Sequence, residues 1–182
     1  TVWSVINYNQ IAILNNHTNV ISWVTHYNNY LISGSYDKTV RIWDITCDND
    51  ITCIECLEIN KFVMCITITC NKMFLGGFGF IDVYNANTYE YITTITKDVG
   101  SVNSIISSGN KIFSTCCEDI KVWNANTYEC ITTLIGKIKY SICPEIKNYV
   151  TCFEIIKGKL FSGHWNGHIK IWKVPLKTEP YN

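Results

Sequence analysis

VYNANTYEYITTI at residues 83–95 returns almost letter for letter as VWNANTYECITTL at residues 122–134, an offset of 39. Self-similarity at such a period marks units that stack on one another, and at this length the unit is a blade of four short strands. Independent landmarks carry the same period. Aromatic residues that end β-branched runs fall at Trp3, Trp43, Tyr84, Trp123 and Trp172, with separations of 40, 41, 39 and 49. One unit is therefore repeated about four and a half times, with extra residues ahead of the last landmark. Within the runs, polar and apolar residues alternate, as at Arg41 and Ile42, which suits half-buried strands. No stretch carries a sustained helical stripe.

LISGSYDKTVRIWD at residues 31–44, IKVWN at 120–124 and LFSGHWNGHIKIWK at 160–173 resemble the WD repeat, whose family forms β-propellers. The resemblance spans nearly the whole chain. It implies an all-β fold, with four nearly complete four-stranded blades plus the last two strands of a preceding blade, in an incomplete ring. The strands of the second unit are expected at 20–24, 30–35, 39–44 and 51–57; of the third at 63–69, 73–77, 80–85 and 91–95. Those of the fourth fall at 102–107, 111–115, 120–124 and 130–134, and of the fifth at 150–156, 159–162 and 168–174. Blade ends are placed near Leu14, Leu57, Ile95, Leu134 and Val174, so residues 1–174 form the partial propeller. Residues 175–182 are a tail, because Pro175 and Pro180 cannot feed a central ladder. The chain opens directly on a third strand at Val2, and an open fan exposes faces that neighbouring blades should cover. The missing blades are expected from the rest of the same chain.

With 182 residues, 47% of them hydrophobic, and zero formal net charge, the chain has the composition of an ordinary globular protein. Nothing resembles a transmembrane span. Arg41 is the single arginine, a scarcity that argues against the clustered basic face nucleic acid would need. Ten cysteines include one C-x-x-C pair, Cys53 and Cys56, but the second pair of a closed zinc site lies at no standard distance. Several cysteines sit at strand positions where a small apolar side chain would pack. Without a disulfide framework the expected location is intracellular, in the cytoplasm. No metal or cofactor is expected.

The WD resemblance also implies a structural hydrogen-bond tetrad in the second unit. His17 would bridge the turn carboxylate of Asp37 and the strand hydroxyl of Ser33, and that hydroxyl would meet the indole N–H of Trp43. Buried polar groups need such mutual satisfaction, and no nucleophile-elbow motif accompanies the set, so no hydrolase triad is read from it. The other units keep the tetrad poorly. The third has Tyr84 in place of tryptophan and no turn carboxylate; the fourth keeps Ser114 and Trp123; the fifth keeps Ser162 and Trp172, with Asn166 at the aspartate position. His26, His164 and His168 are expected at the surface.

The family presents partners mainly on the face that carries the turns from second to third strand and the connections into each inner strand. On those turns lie Tyr36, Phe78 and Trp165, and at the mouths of inner strands Phe62, Met64 and Tyr149. Large aromatics in such places are typical interface anchors. The loop at 136–149, with Lys137, Lys139, Tyr140 and Lys147, is a second contact candidate. The leading expectation is a non-catalytic scaffold that binds other proteins, with no nucleic-acid or membrane partner. The alternative within the family is a substrate-recognition subunit of a ubiquitin ligase. A propeller-fold hydrolase ranks below both, because no HxxE, HExxH, GxSxG or glycine-rich phosphate loop occurs.

Overall fold

The structure is a computed structural model that describes residues 1–47, 50–95, 99–116, 119–135, 149–165 and 167–173. All regular structure among them is β-strand. A short hairpin, β1 (Val2–Trp3) and β2 (Gln10–Ala12), opens the chain. Three four-stranded antiparallel sheets follow: β3 (Ile21–Tyr27), β4 (Tyr30–Ser35), β5 (Thr39–Asp44) and β6 (Thr52–Glu58); β7 (Cys65–Thr69), β8 (Lys72–Gly77), β9 (Phe80–Asn85) and β10 (Tyr91–Ile95); β11 (Ile105–Ser108), β12 (Lys111–Cys116), β13 (Asp119–Asn124) and β14 (Cys130–Leu134). A three-stranded sheet closes the series: β15 (Val150–Ile156), β16 (Lys159–His164) and β17 (Ile169–Lys173). Each strand pairs with its sequence neighbour, and the innermost strands touch in the order β3, β7, β11, β15. This is the blade arrangement of a β-propeller.

The core is divided into slabs, each between two blades. Ile32, Val40 and Ile42 of one blade meet Val63, Ile66, Met73 and Leu75 of the next. Phe74, Ile81 and Val83 in turn meet Val102, Ile105, Ile112 and Trp123. Phe113, Ile120 and Val122 meet Val150, Phe153 and Leu160. Each fully buried side chain of this kind contributes about 1.5–3 kcal/mol, so a blade is stable only against its neighbours. Blades approach closely at Gly34 and Gly76. A Cβ on Gly34 would sit 2.7 Å from Val63 Cγ1, and one on Gly76 would sit 2.6 Å from both Cys65 Sγ and Val102 Cγ1. Ser22 Oγ ties the seam by donating to the Gly34 and Val63 carbonyls.

The repeated thirteen residues are third strand, turn and fourth strand. Asn85 Oδ1 accepts the amides of Asn87 and Thr88 at 2.8 and 3.1 Å, and Asn124 Oδ1 accepts those of Asn126 and Thr127 at 2.8 and 3.2 Å. This is the side-chain turn for which Asn is suited. Tyr89 and Tyr128 adopt positive φ of 61° and 64° to complete it, and Ala86 and Ala125 are buried beneath, donating to the Asn71 and Asn110 carbonyls.

The inner strands begin later than the sequence pattern suggests, at Cys65 rather than 63 and at Ile105 rather than 102. At the second of these the cause is visible. Thr115 Oγ1 accepts the amides of Asn103 and Ser104 at 2.7 and 3.2 Å, which takes those donors out of the ladder. Large apolar side chains remain exposed at both ends of the series, among them Trp3, Val5 and Ile6 at one and Ile169 and Ile171 at the other.

Candidate functional site

In the second unit the four polar residues converge. His17 Nδ1 lies 2.7 Å from Asp37 Oδ2, His17 Nε2 lies 2.7 Å from Ser33 Oγ, and Trp43 Nε1 donates to Ser33 Oγ at 2.9 Å. Thr39 extends the set by donating its hydroxyl to Asp37 Oδ1 at 2.7 Å. Burial alone would raise the pKa of Asp37. Hydrogen bonds from Thr39, His17 and the backbone amide of Thr18 outweigh it and hold the carboxyl well below the usual carboxylate range. Ser33 is 2% exposed and its oxygen is occupied on both sides, so it has no approach for a substrate.

The fourth unit keeps the indole bond, Trp123 Nε1 to Ser114 Oγ at 2.8 Å, and so does the last, Trp172 Nε1 to Ser162 Oγ at 2.8 Å. There the structure corrects the sequence expectation for His164. It is 6% exposed, and its Nε2 lies 2.8 Å from Ser162 Oγ. Strand β16 runs two residues beyond 162, so the pleat returns residue 164 to the side that Ser162 occupies. His26 and His168 are exposed, as expected. Asn166, the loop residues Lys137, Lys139, Tyr140 and Lys147, the blade end at Val174 and the tail at 175–182 lie outside the described residues.

The third unit is built differently. In the other blades the position two residues before the landmark aromatic is a cation, Arg41, Lys121 or Lys170, paired across the hairpin with Ser33, Ser114 or Ser162. Here it is Asp82, paired with Leu75. Asp82 is 2% exposed, and the cation comes from the preceding connection: Lys61 Nζ meets Asp82 Oδ1 and Oδ2 at 3.0 and 2.9 Å. Thr94, its neighbour on β10, donates a hydroxyl to Asp82 Oδ1. Lys61 Nζ also stands 4.4 Å from the centre of the Phe80 ring. Sequence reasoning missed this cluster, although the reversal of charge at one repeat position signals it.

The predicted contact residues form two groups. Tyr36 is half-buried against Phe62, with ring centres 5.7 Å apart, and Lys38 Nζ lies 5.8 Å over the Phe62 ring. Phe78, in the β8–β9 turn, is 63% exposed, and Phe62 is 43% exposed. These two, with Lys61, Gly79, Phe80 and Thr94, line an open cleft of about 370 Å³. The second group is on the last blade, where Trp165 is 72% exposed and pairs with Tyr149 at 6.1 Å. Met64 is half-buried and donates its amide to Gly76 O within its own blade.

Cys53 and Cys56 do not assemble a metal centre with other ligands; among the described residues no three His, Cys, Asp or Glu side chains cluster for one. Burial pushes the Cys56 thiol up despite the nearby Arg41, and burial pushes the Cys65 thiol up further. Neither is an activated thiolate.

Residues 8–44, which span β2 to β5, match the family model of the WD domain, G-beta repeat. A segment of 42 residues is 48% identical to Cell division control protein 4 of Candida albicans, covering 23% of this chain and 6% of that protein. A crystal structure of the RRP9 WD40 repeats superposes with a TM-score of 0.76 at 16% identity, over 90% of this chain and 51% of that one. The computationally designed Ika4 protein superposes with a TM-score of 0.73 at 20% identity, over 91% of this chain and 98% of that one. This chain thus spans about half of the WD40 structure it resembles and a small part of its curated relative. The chain carries one matched WD repeat in its second unit, and its described residues share the fold of WD40 propellers.

Proposed function

We propose that this chain is a non-catalytic scaffold that presents its second-to-third-strand turns to protein partners. The carrying observation is the exposure of Phe78 and Trp165, 63% and 72%, on corresponding turns of blades whose own cores are full. Aromatic side chains held outside the core by rigid strands supply contact area at low ordering cost. The His17, Ser33 and Asp37 set, which imitates a catalytic triad, is consumed in pinning its blade, which supports a binding role over hydrolysis. Free thiols at Cys47, Cys53, Cys56, Cys65, Cys70, Cys130 and Cys152 support a reducing, cytoplasmic location. The alternative of a ubiquitin-ligase substrate receptor is favoured by the segment shared with Cell division control protein 4.

The test is a double variant, Tyr36→Ala with Trp165→Ala, compared with wild type at matched thermal stability for capture of partners from lysate and for pairwise affinity with the purified captured protein. Each lost anchor is expected to cost about 2 kcal/mol of binding. Stability should fall by less than about 1 kcal/mol, since neither ring belongs to a blade core. Unchanged affinity overturns the assignment of these turns.

A further inference from the structure

We propose that the cleft between Phe62, Phe78 and Phe80, with the Lys61 ammonium in its wall, docks a peptide segment in which an apolar side chain is followed by a carboxylate. The proposal rests on the scaffold reading and names the chemistry of the partner.

Phe62 and Phe78 are 43% and 63% exposed and line one cleft, so their apolar surface is contiguous rather than scattered. Its volume of about 370 Å³ is at the lower end of the range for ligand sites, suited to one or two side chains. The charge at this cleft is arranged with one sign outward. Asp82 is buried and occupied by Lys61 and Thr94, so it cannot meet a ligand. The Lys61 side chain is 44% exposed, and an ammonium carries three donors, of which Asp82 takes two. Lys38 adds a second exposed cation at the rim, over Phe62. Among the described residues lining the cleft, no carboxylate is accessible. Because Asp82 and the Phe80 ring already fix the ammonium, a ligand anion meets a donor that loses little freedom on binding.

Carboxylate is favoured over phosphate by the donors present. Phosphate recognition draws on arginine forks or converging backbone amides. The cleft has neither, since the Gly79 amide is spent on the Gly100 carbonyl at 3.2 Å. A single positioned ammonium beside aromatic rings matches a singly charged group next to an apolar one.

A phage-displayed library of random seven-residue peptides, selected on the 182-residue chain, tests this directly. Selected peptides should share an aromatic or aliphatic residue followed by Asp or Glu. Their affinity, read by fluorescence anisotropy of the labelled lead peptide, should fall at least tenfold when the acid becomes its amide. The same loss is expected in Phe78→Ala, and in Lys61→Met combined with Asp82→Leu, which removes the cation without stranding a buried carboxylate. Absence of enrichment, a shared sequence without an acid, binding indifferent to Phe78→Ala, or tighter binding when phosphoserine replaces the acid would each overturn the proposal. These outcomes are separable from failure of the scaffold reading, which is decided by the Tyr36 and Trp165 variant and its captured protein.

Discussion

The second and third blades have the same order of four strands and neighbouring positions in the series, yet polar groups pin them in opposite ways. In the second, a relay from Asp37 through His17 and Ser33 to Trp43 connects the entry segment, turn and third strand. In the third, the indole is absent, the serine position is Leu75, and a Lys61–Asp82 pair with Thr94 joins the incoming connection to the third and fourth strands. The backbone is indifferent to the exchange because the apolar alternation that fills each seam is present in both. The polar pin is interchangeable; the slab of buried side chains is not.

Removing the landmark aromatic should separate the two blades most. Trp43 is 3% exposed and holds the end of the relay, so Trp43→Ala should cost about 3–5 kcal/mol. Tyr84 is half-buried and packs edge-on against Tyr91, so Tyr84→Ala should cost clearly less. Urea melts giving the reverse order would show that the relay adds nothing to the second blade. The next effect is in the third blade. Lys61→Met leaves Asp82 buried beside a neutral group, at a cost of about 2–3 kcal/mol, moderated because Lys61 itself is partly in solvent. Adding Asp82→Leu should recover most of that loss, since a well-packed apolar pair can replace an ion pair. Failure to recover would mean that the third blade needs its charge.

The repeat was legible because its residues are tied to the geometry of one turn. Asn85 and Asn124 form that turn, Ala86 and Ala125 fit beneath it, and Tyr89 and Tyr128 accept positive φ. The convergence of His17, Ser33, Asp37 and Trp43 was legible as a set of residue types at family spacing. Lys61, Asp82 and Thr94 were not, because they come from a connection and two strands and follow no motif. Their trace was the reversal of sign at Asp82 against Arg41, Lys121 and Lys170, visible only once the units are aligned on their third strands. His164 was misread because the length of β16 is decided by its ladder to β15 and β17, which carries pairing as far as Val150 opposite His164.

The smallest effect concerns acid. Asp37 is held below the usual carboxylate range, so the folded state favours its charged form. Such a group stabilises fully above its unfolded pKa of about 3.9, and the contribution is lost as pH falls through the folded value. Asp37→Asn removes the charged acceptor while keeping the size of the side chain. At pH 7 the variant should be less stable by about 1–2 kcal/mol, toward the low side of what hydrogen bonds to a charged group contribute because the amide oxygen still accepts. Between pH 5 and about 2.5 the gap to wild type should narrow, because only wild type has this contribution to lose. The double variant Lys61→Met, Asp82→Leu retains Asp37 and should lose stability in parallel with wild type over this window insofar as Asp37 causes the loss. Thermal melts across the series check both points. A gap that stays constant to about pH 2.5 would mean that the second blade is pinned by the geometry of the relay and not by the charge of its carboxylate.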